Sequence, residues 1–172
     1  ASLRPHYQIH PLEALRQRLG HETEILYSKG CHTHKYLPKI NEKLMGDKSG
    51  FLVEYFDGNQ FYENLILEER LIGSKFWVFE GFAKDVISKE GRSNISVKFS
   101  CEYTPDISGS HEFEIFGIGK CRLLINDSEL IDNWTSTDPG EAFFTFGSAS
   151  KKGVIDFKKG ERYRIEVQYH FE

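Results

Sequence analysis

Asn94-Ile95-Ser96-Val97-Lys98-Phe99-Ser100-Cys101-Glu102-Tyr103 is the stretch that decides the fold class. Ile95, Val97, Phe99, Cys101 and Tyr103 fall on one side of an extended chain, and Ser96, Lys98, Ser100 and Glu102 on the other. Successive side chains of a strand point to opposite faces, so this period of two predicts a half-buried strand. The C-terminal stretch repeats it. Tyr163, Ile165, Val167, Tyr169 and Phe171 share one face, and Arg164, Glu166, Gln168 and His170 share the other. Between the two, Glu112 to Phe116, Lys120 to Ile125 and Glu129 to Asp132 read as short strands, punctuated by Ser108-Gly109, Gly117 with Gly119, and Asn126-Asp127-Ser128. Phe51 to Phe56 is an apolar strand closed by Asp57-Gly58-Asn59, and Ala142 to Phe146 is a further strand candidate. Val154 to Phe157, the turn Lys158-Lys159-Gly160 and Arg162 to Phe171 read as a closing hairpin. Many short strands with frequent turns predict an antiparallel β-sandwich or barrel.

Upstream the pattern changes. Pro11 fits a first helical position, Leu12, Leu15 and Leu19 recur on one helical face, and Gly20 fits the residue after the last turn. Glu24 to Ser28 reads as a short strand and Lys39 to Gly50 as a polar connector. So short a helix is marginal alone, and this unit predicts a missing partner for its apolar stripe. Composition divides at the same place. All 14 Phe and both Trp of the 172 residues follow residue 47, whereas 5 of the 7 His precede it. Residues 1–46 carry 7 basic against 4 acidic side chains, and the remainder 15 against 22. The expected division is a helix–strand part at 1–46 and a self-contained β module at 47–172. An acidic balance argues against nucleic acid as partner, and no apolar run is long enough to span a membrane as a helix.

Few residues suggest chemistry. Cys31-His32-Thr33-His34 is the one dense group of metal-type ligands, but no second pair follows at zinc-like spacing, so no metal or cofactor is expected. Cys101 and Cys121 sit on apolar strand faces and read as buried thiols. Gly117-Ile118-Gly119 opens no helix and is a turn rather than a dinucleotide fingerprint. Glu112 and Glu114 are solvated, and Asn126, Asp127, Asp132 and Asn133 fit turn chemistry better than a calcium loop. Asp132 to Gly153 stands apart, with Trp134, Phe143, Phe144 and Phe146 among Thr, Ser, Asp and Gly. Sugars offer apolar C–H faces with polar rims, which suits aromatic platforms beside hydrogen-bonding groups. In Phe143-Phe144-Thr145-Phe146 at least one ring must face away from the others, exposed or covering a partner.

Two stretches carry a resemblance. Ala1 to Tyr7, His10 to Leu15 and Tyr27-Ser28-Lys29-Gly30-Cys31 resemble a piece of the fungal β-glucosidases of glycoside hydrolase family 3, at the first helix and strand of their α/β-sandwich domain. Phe51 to Phe56, Gly109 to Phe116, Cys121 to Asp127 and Leu130 to Trp134 resemble the opening strand and central hairpin of the PA14 domain. Some family 3 enzymes carry such a domain inserted at this place. The resemblance implies a retaining β-glucosidase as parent, acting on terminal β-D-glucosyl units. Its nucleophile Asp and acid/base Glu lie on segments other than these residues, so no catalytic residue is expected here. It further implies that the inserted domain narrows the aglycone side and favours short substrates, with Trp134, Phe143, Phe144 and Phe146 as substrate-contacting candidates. The expected partners are β-glucosides or short gluco-oligosaccharides and the parent's catalytic domains. Two other readings stay open: a stand-alone lectin-like module, and a structural insert that stabilises or dimerises its host, giving a homo-oligomer of the parent. The start at Ala1 with no Met suggests a piece of a longer chain. Free cysteines fit the cytoplasm and the sequons at Asn94, Asn126 and Asn133 fit secretion; the reading leans to the cytoplasm.

Overall fold

The computed structural model describes residues 6–28, 30–31, 33–40, 42–46, 50–75, 94–141 and 144–171. It divides into two compact units, Ala1–Lys35 and Tyr36–Glu172. The described residues are mainly β and antiparallel, with one short N-terminal α-helix, as the alternation predicts.

In the first unit, α1 spans Pro11–Leu19. Pro11 takes the position where a missing N–H costs nothing, and Gly20, at φ 66°, donates its N–H back to the Arg16 carbonyl. None of the helix residues is buried, and Leu15 and Leu19 stand exposed. The strand expected at Glu24–Ser28 does not form. A strand is defined by a paired edge, and no described residue of this unit supplies one.

The second unit contains β1 (Phe51–Asp57), β2 (Leu65–Leu71), β3 (Ile95–Tyr103), β4 (Gly109–Ile115), β5 (Lys120–Ile125), β6 (Ser128–Asn133), β7 (Lys151–Phe157) and β8 (Tyr163–Phe171). Six of them form one sheet in the order β2-β1-β3-β8-β5-β6, and β4 pairs with β7 in a second. The core lies on one face of the large sheet, where Val53, Tyr55, Val97, Phe99, Leu123 and Ile165 meet Phe157 of the small sheet. Each such side chain contributes roughly 1.5–3 kcal/mol of transfer free energy. The crossing of β6 and β7 depends on Gly153, because a Cβ there would come within 2.7 Å of Ile131. The buried thiols Cys101 and Cys121 fall where the alternation puts them.

In this second unit four features differ from the sequence reading. The closing hairpin is not a hairpin: β7 pairs with β4, whereas β8 pairs with β3 and β5. Both edges of β8 are thus occupied, and Lys158–Arg162 carries the chain between sheets with Phe157 stacked on Tyr163 at 4.2 Å. The strand expected at Ala142–Phe146 is a turn over residues 144–146, and Ala142 and Phe143 lie outside the described residues. Phe144 and Thr145 have φ of 58° and 74°, values that no strand accommodates. β2 belongs to a stretch whose apolar residues follow no clean alternation, as an edge strand allows. Finally, the polar connector is built into the unit: Met45 is in the core, the Gly46 N–H donates to the Glu102 carbonyl and the Thr104 N–H to the Leu44 carbonyl. No helix among the described residues is long and apolar enough to cross a membrane.

Candidate functional site

The segment from Asp132 to Ala149 leaves the end of β6 and returns to β7. Its root is fastened at several points. Asp132 Oδ1 accepts hydrogen bonds from the Trp134 N–H at 2.7 Å and the Thr135 N–H at 3.0 Å. The Thr135 and Trp134 backbone amides hold the Asp132 carboxyl down at about 2, because they stabilise its charged form. The Trp134 ring packs against Phe61 at 5.8 Å and His170 at 5.9 Å between centroids, with the Arg122 guanidinium 5.3 Å from it. Asn133 is fully buried and donates from Nδ2 to Ser148 Oγ at 2.8 Å. That burial removes the third sequon from reach in the folded chain, whereas Asn94 and Asn126 are exposed.

Above this root the two limbs pair like a short ribbon. The Ala149 N–H donates to the Asp138 carbonyl at 2.7 Å and the Gly140 N–H to the Gly147 carbonyl at 2.9 Å. A Cβ on Gly140 would lie 2.3 Å from the Ser148 carbonyl oxygen, so this pairing requires glycine. The ribbon ends in the turn that presents Phe144 and Phe146, 90% and 79% exposed. Phe144 also takes a left-handed backbone, which costs a bulky L-residue roughly 1–2 kcal/mol. Exposure and strain are thus spent on the same apolar ring, a combination that points to function.

Beside this turn lies an open cleft of about 390 Å³, walled by Gly117–Lys120 on one side and by Thr137–Pro139 and Thr145–Ser148 on the other. Phe146 and His170 also line it. Gly119 keeps it open at φ 104°, since a Cβ there would meet the His170 carbonyl oxygen at 2.6 Å. The Tyr169 hydroxyl donates to the Ile118 carbonyl and fixes that wall. The Thr137, Thr145 and Ser148 hydroxyls, the Asp138 carboxylate, Lys120, His170 and the Phe146 ring line the cleft, a mixture that can accept a polyhydroxylated ring.

The structure therefore puts Phe144 and Phe146 on one exposed turn, with Trp134 at its root rather than its tip. Phe143 lies outside the described residues. His32 of the Cys31–His34 group does too, and among the described residues no three His, Cys, Asp or Glu side chains come together to hold a metal. Glu112 pairs with Lys152 at 3.3 Å, and Glu114 accepts from the Leu37 N–H at 2.6 Å. The sequence reading passed over a further exposed aromatic of the β unit, Tyr62. Its signal was the Phe61-Tyr62 pair in a polar turn, where two adjacent rings cannot both turn inward.

The chain is similar to known proteins. The PA14 domain family matches residues 47–171. A probable β-glucosidase K of Emericella nidulans is 26% identical over 98% of the chain, which covers 20% of that protein. A probable β-glucosidase H of Aspergillus fumigatus is 28% identical over 98% of the chain and 19% of its own length. Among solved structures, a β-glucosidase from Kluyveromyces marxianus superposes with a TM-score of 0.72 at 20% identity, over 98% of this chain and 21% of the other, a likeness of fold. The chain spans about a fifth of the length of the relatives it matches.

Proposed function

The chain belongs to the PA14 domain family, and from that premise we propose that it is the entrance-shaping, non-catalytic part of a retaining β-glucosidase of glycoside hydrolase family 3. Residues 1–46 are the start of the host's α/β-sandwich domain plus a connector, whose end packs onto the β module at Met45, and residues 47–172 are the inserted module. The substrates of the whole enzyme are β-glucosides or short gluco-oligosaccharides. The observation that carries the reading is the Phe144–Phe146 turn: an apolar, strained, exposed tip on a ribbon whose root is fixed. A rigid lip of this kind selects by steric exclusion. It clashes with a long aglycone chain and contributes stacking to a short one, so specificity changes without any new catalytic group. Similarity along the full chain to β-glucosidases of two fungi supports the host assignment.

The test is the chain-length profile of the full-length enzyme. Phe143→Ala, Phe144→Ala and Phe146→Ala are expected to raise kcat/KM on longer oligosaccharides relative to disaccharides in at least one variant. An unchanged ratio in all three overturns the proposal.

A further inference from the structure

The outer face of the large sheet holds an exposed aromatic that lies outside the Phe144–Phe146 turn. Tyr62 lies in the β1–β2 loop with φ of 73° and is 62% exposed. Glu166 and Lys98 hold its ring, with the Phe56 ring beside it at 6.4 Å between centroids and Arg164 at its hydroxyl. The hydroxyl donates to Glu166 Oε1 at 2.9 Å, and Lys98 Nζ lies 4.2 Å from the ring centroid. Glu166 and Lys98 are both buried on β8 and β3. A ring anchored at its tip to β8, with a buried ammonium over one face and more than half of its surface in solvent, leaves the opposite face open.

We propose that this outward face of Tyr62 is a stacking platform for a neutral pyranose ring, a glycan-binding site separate from the Phe144–Phe146 lip and independent of the proposed host. Three observations favour that ligand. Holding an exposed ring in a strained backbone with two buried charged groups is costly for a residue that only fills the surface. The rim is polar: Asn59, Gln60, Glu63 and Asn64 are exposed in the same loop, and Arg164 and Asp127, paired at 3.3 Å, offer donors and an acceptor nearby. Of the neighbouring rings Phe56 is buried and Phe61 and Trp134 are half-buried, so Tyr62 is the exposed one of the group, and an exposed ring with a rim of amides and charges suits a sugar, whose C–H face stacks while its hydroxyls reach the rim. The ammonium behind the ring also disfavours a cationic ligand on the open face, since the two charges would repel through the ring.

The experiment titrates the full 172-residue chain with methyl β-D-glucoside and with cellobiose, following backbone amide resonances. Millimolar binding is expected, with shifts centred on Gly58–Asn64 and Arg164–Gln168. Tyr62→Gly, which relieves the left-handed strain and removes the ring, should weaken it at least tenfold. Tyr62→Phe, which keeps the ring and loses only its tether, should weaken it by a few-fold. Phe144→Ala combined with Phe146→Ala should leave it unchanged. Absence of shifts at tens of millimolar sugar overturns the proposal, as does binding that survives Tyr62→Gly or disappears with the two Phe substitutions. These outcomes are read on the chain itself, so they stand apart from the chain-length profile of the host.

Discussion

The two faces of the six-stranded sheet are made by the same strands and obey different rules. On the inner face, Val53, Val97, Leu123 and Ile165 are apolar and buried, and their burial follows from residue type and alternation along each strand. On the outer face, one row crosses all six strands through Glu68, Glu54, Lys98, Gln168, Arg122 and Asp132. Such residues belong in water by type, yet Lys98, Glu166, Gln168 and His170 are buried. They are buried because they are paired. Lys98 meets Glu54 at 2.6 Å, Arg122 donates from Nε to Gln168 at 2.8 Å, and Glu166 accepts from Tyr62, Arg164 and Gln168. His170 shares a hydrogen bond with Ser96 at 3.0 Å. An inner face tolerates exchange of one apolar group for another. An outer face of this kind depends on each partner remaining present.

The largest effects should separate the faces by the rule each obeys. Ile165→Ala, at a position with no exposure, should cost about 2–5 kcal/mol in chemical denaturation, as cavity formation in a core does. Lys98→Ala should cost about 3 kcal/mol, because Glu54 is left charged and poorly solvated, whereas Lys98→Met with Glu54→Leu should recover most of that loss. A double substitution as damaging as the single one would break the comparison, since the outer face would then depend on shape and not on pairing.

A middle-sized effect comes from pH. Burial, with a smaller contribution from Cys121, pushes the Tyr169 phenol up to about 12. Its ordinary value is 10.0, so the unfolded chain releases this proton first. The associated stability is complete below about pH 10 and falls between about 10 and 12, by roughly 2–3 kcal/mol. Tyr169→Phe should make the alkaline decline in denaturation midpoints shallower without abolishing it, because burial also raises Tyr55, Tyr62, Tyr103 and Cys121. An identical decline in the variant would assign it to other groups.

The smallest effect should have the opposite sign. Phe144→Gly removes an exposed ring from a left-handed backbone, so thermal unfolding should show no loss of stability and a gain of up to about 1 kcal/mol. A clear loss would mean that the ring is packed within the chain and is not a free lip.

Much of the fold was legible in local pattern. The alternation in residues 94–103 and 163–171 identified two central strands, and Lys120–Ile125 was read with its observed bounds, because a period of two needs no knowledge of the partner. The turn at Asn126-Asp127 was legible for the same reason, since both residues tolerate the left-handed φ that a tight hairpin requires. The candidate site was legible only as composition. Phe143 to Phe146 looked like a strand because aromatic residues favour strands, whereas Phe144 and Thr145 adopt backbone angles their own preferences resist. What overrides those preferences is the pairing of Asp138–Gly140 with Gly147–Ala149 and the fixing of the root by Asp132 and Asn133.

By itself, then, the sequence determined the β class, the inner face and the apolar identity of the lip, because these follow from the order of polar and apolar residues along one chain. Only the tertiary structure decided that β7 and β8 part into different sheets, that Lys98, Glu166, Gln168 and His170 of the polar face are buried, and that Tyr62 is tied to that face. Each of those depends on a partner distant in sequence: β4 for β7, β3 and β5 for β8, Glu166 for Tyr62. Which partner a strand edge or a charged group finds is set by what else competes for it in space, and a linear pattern carries no record of that competition.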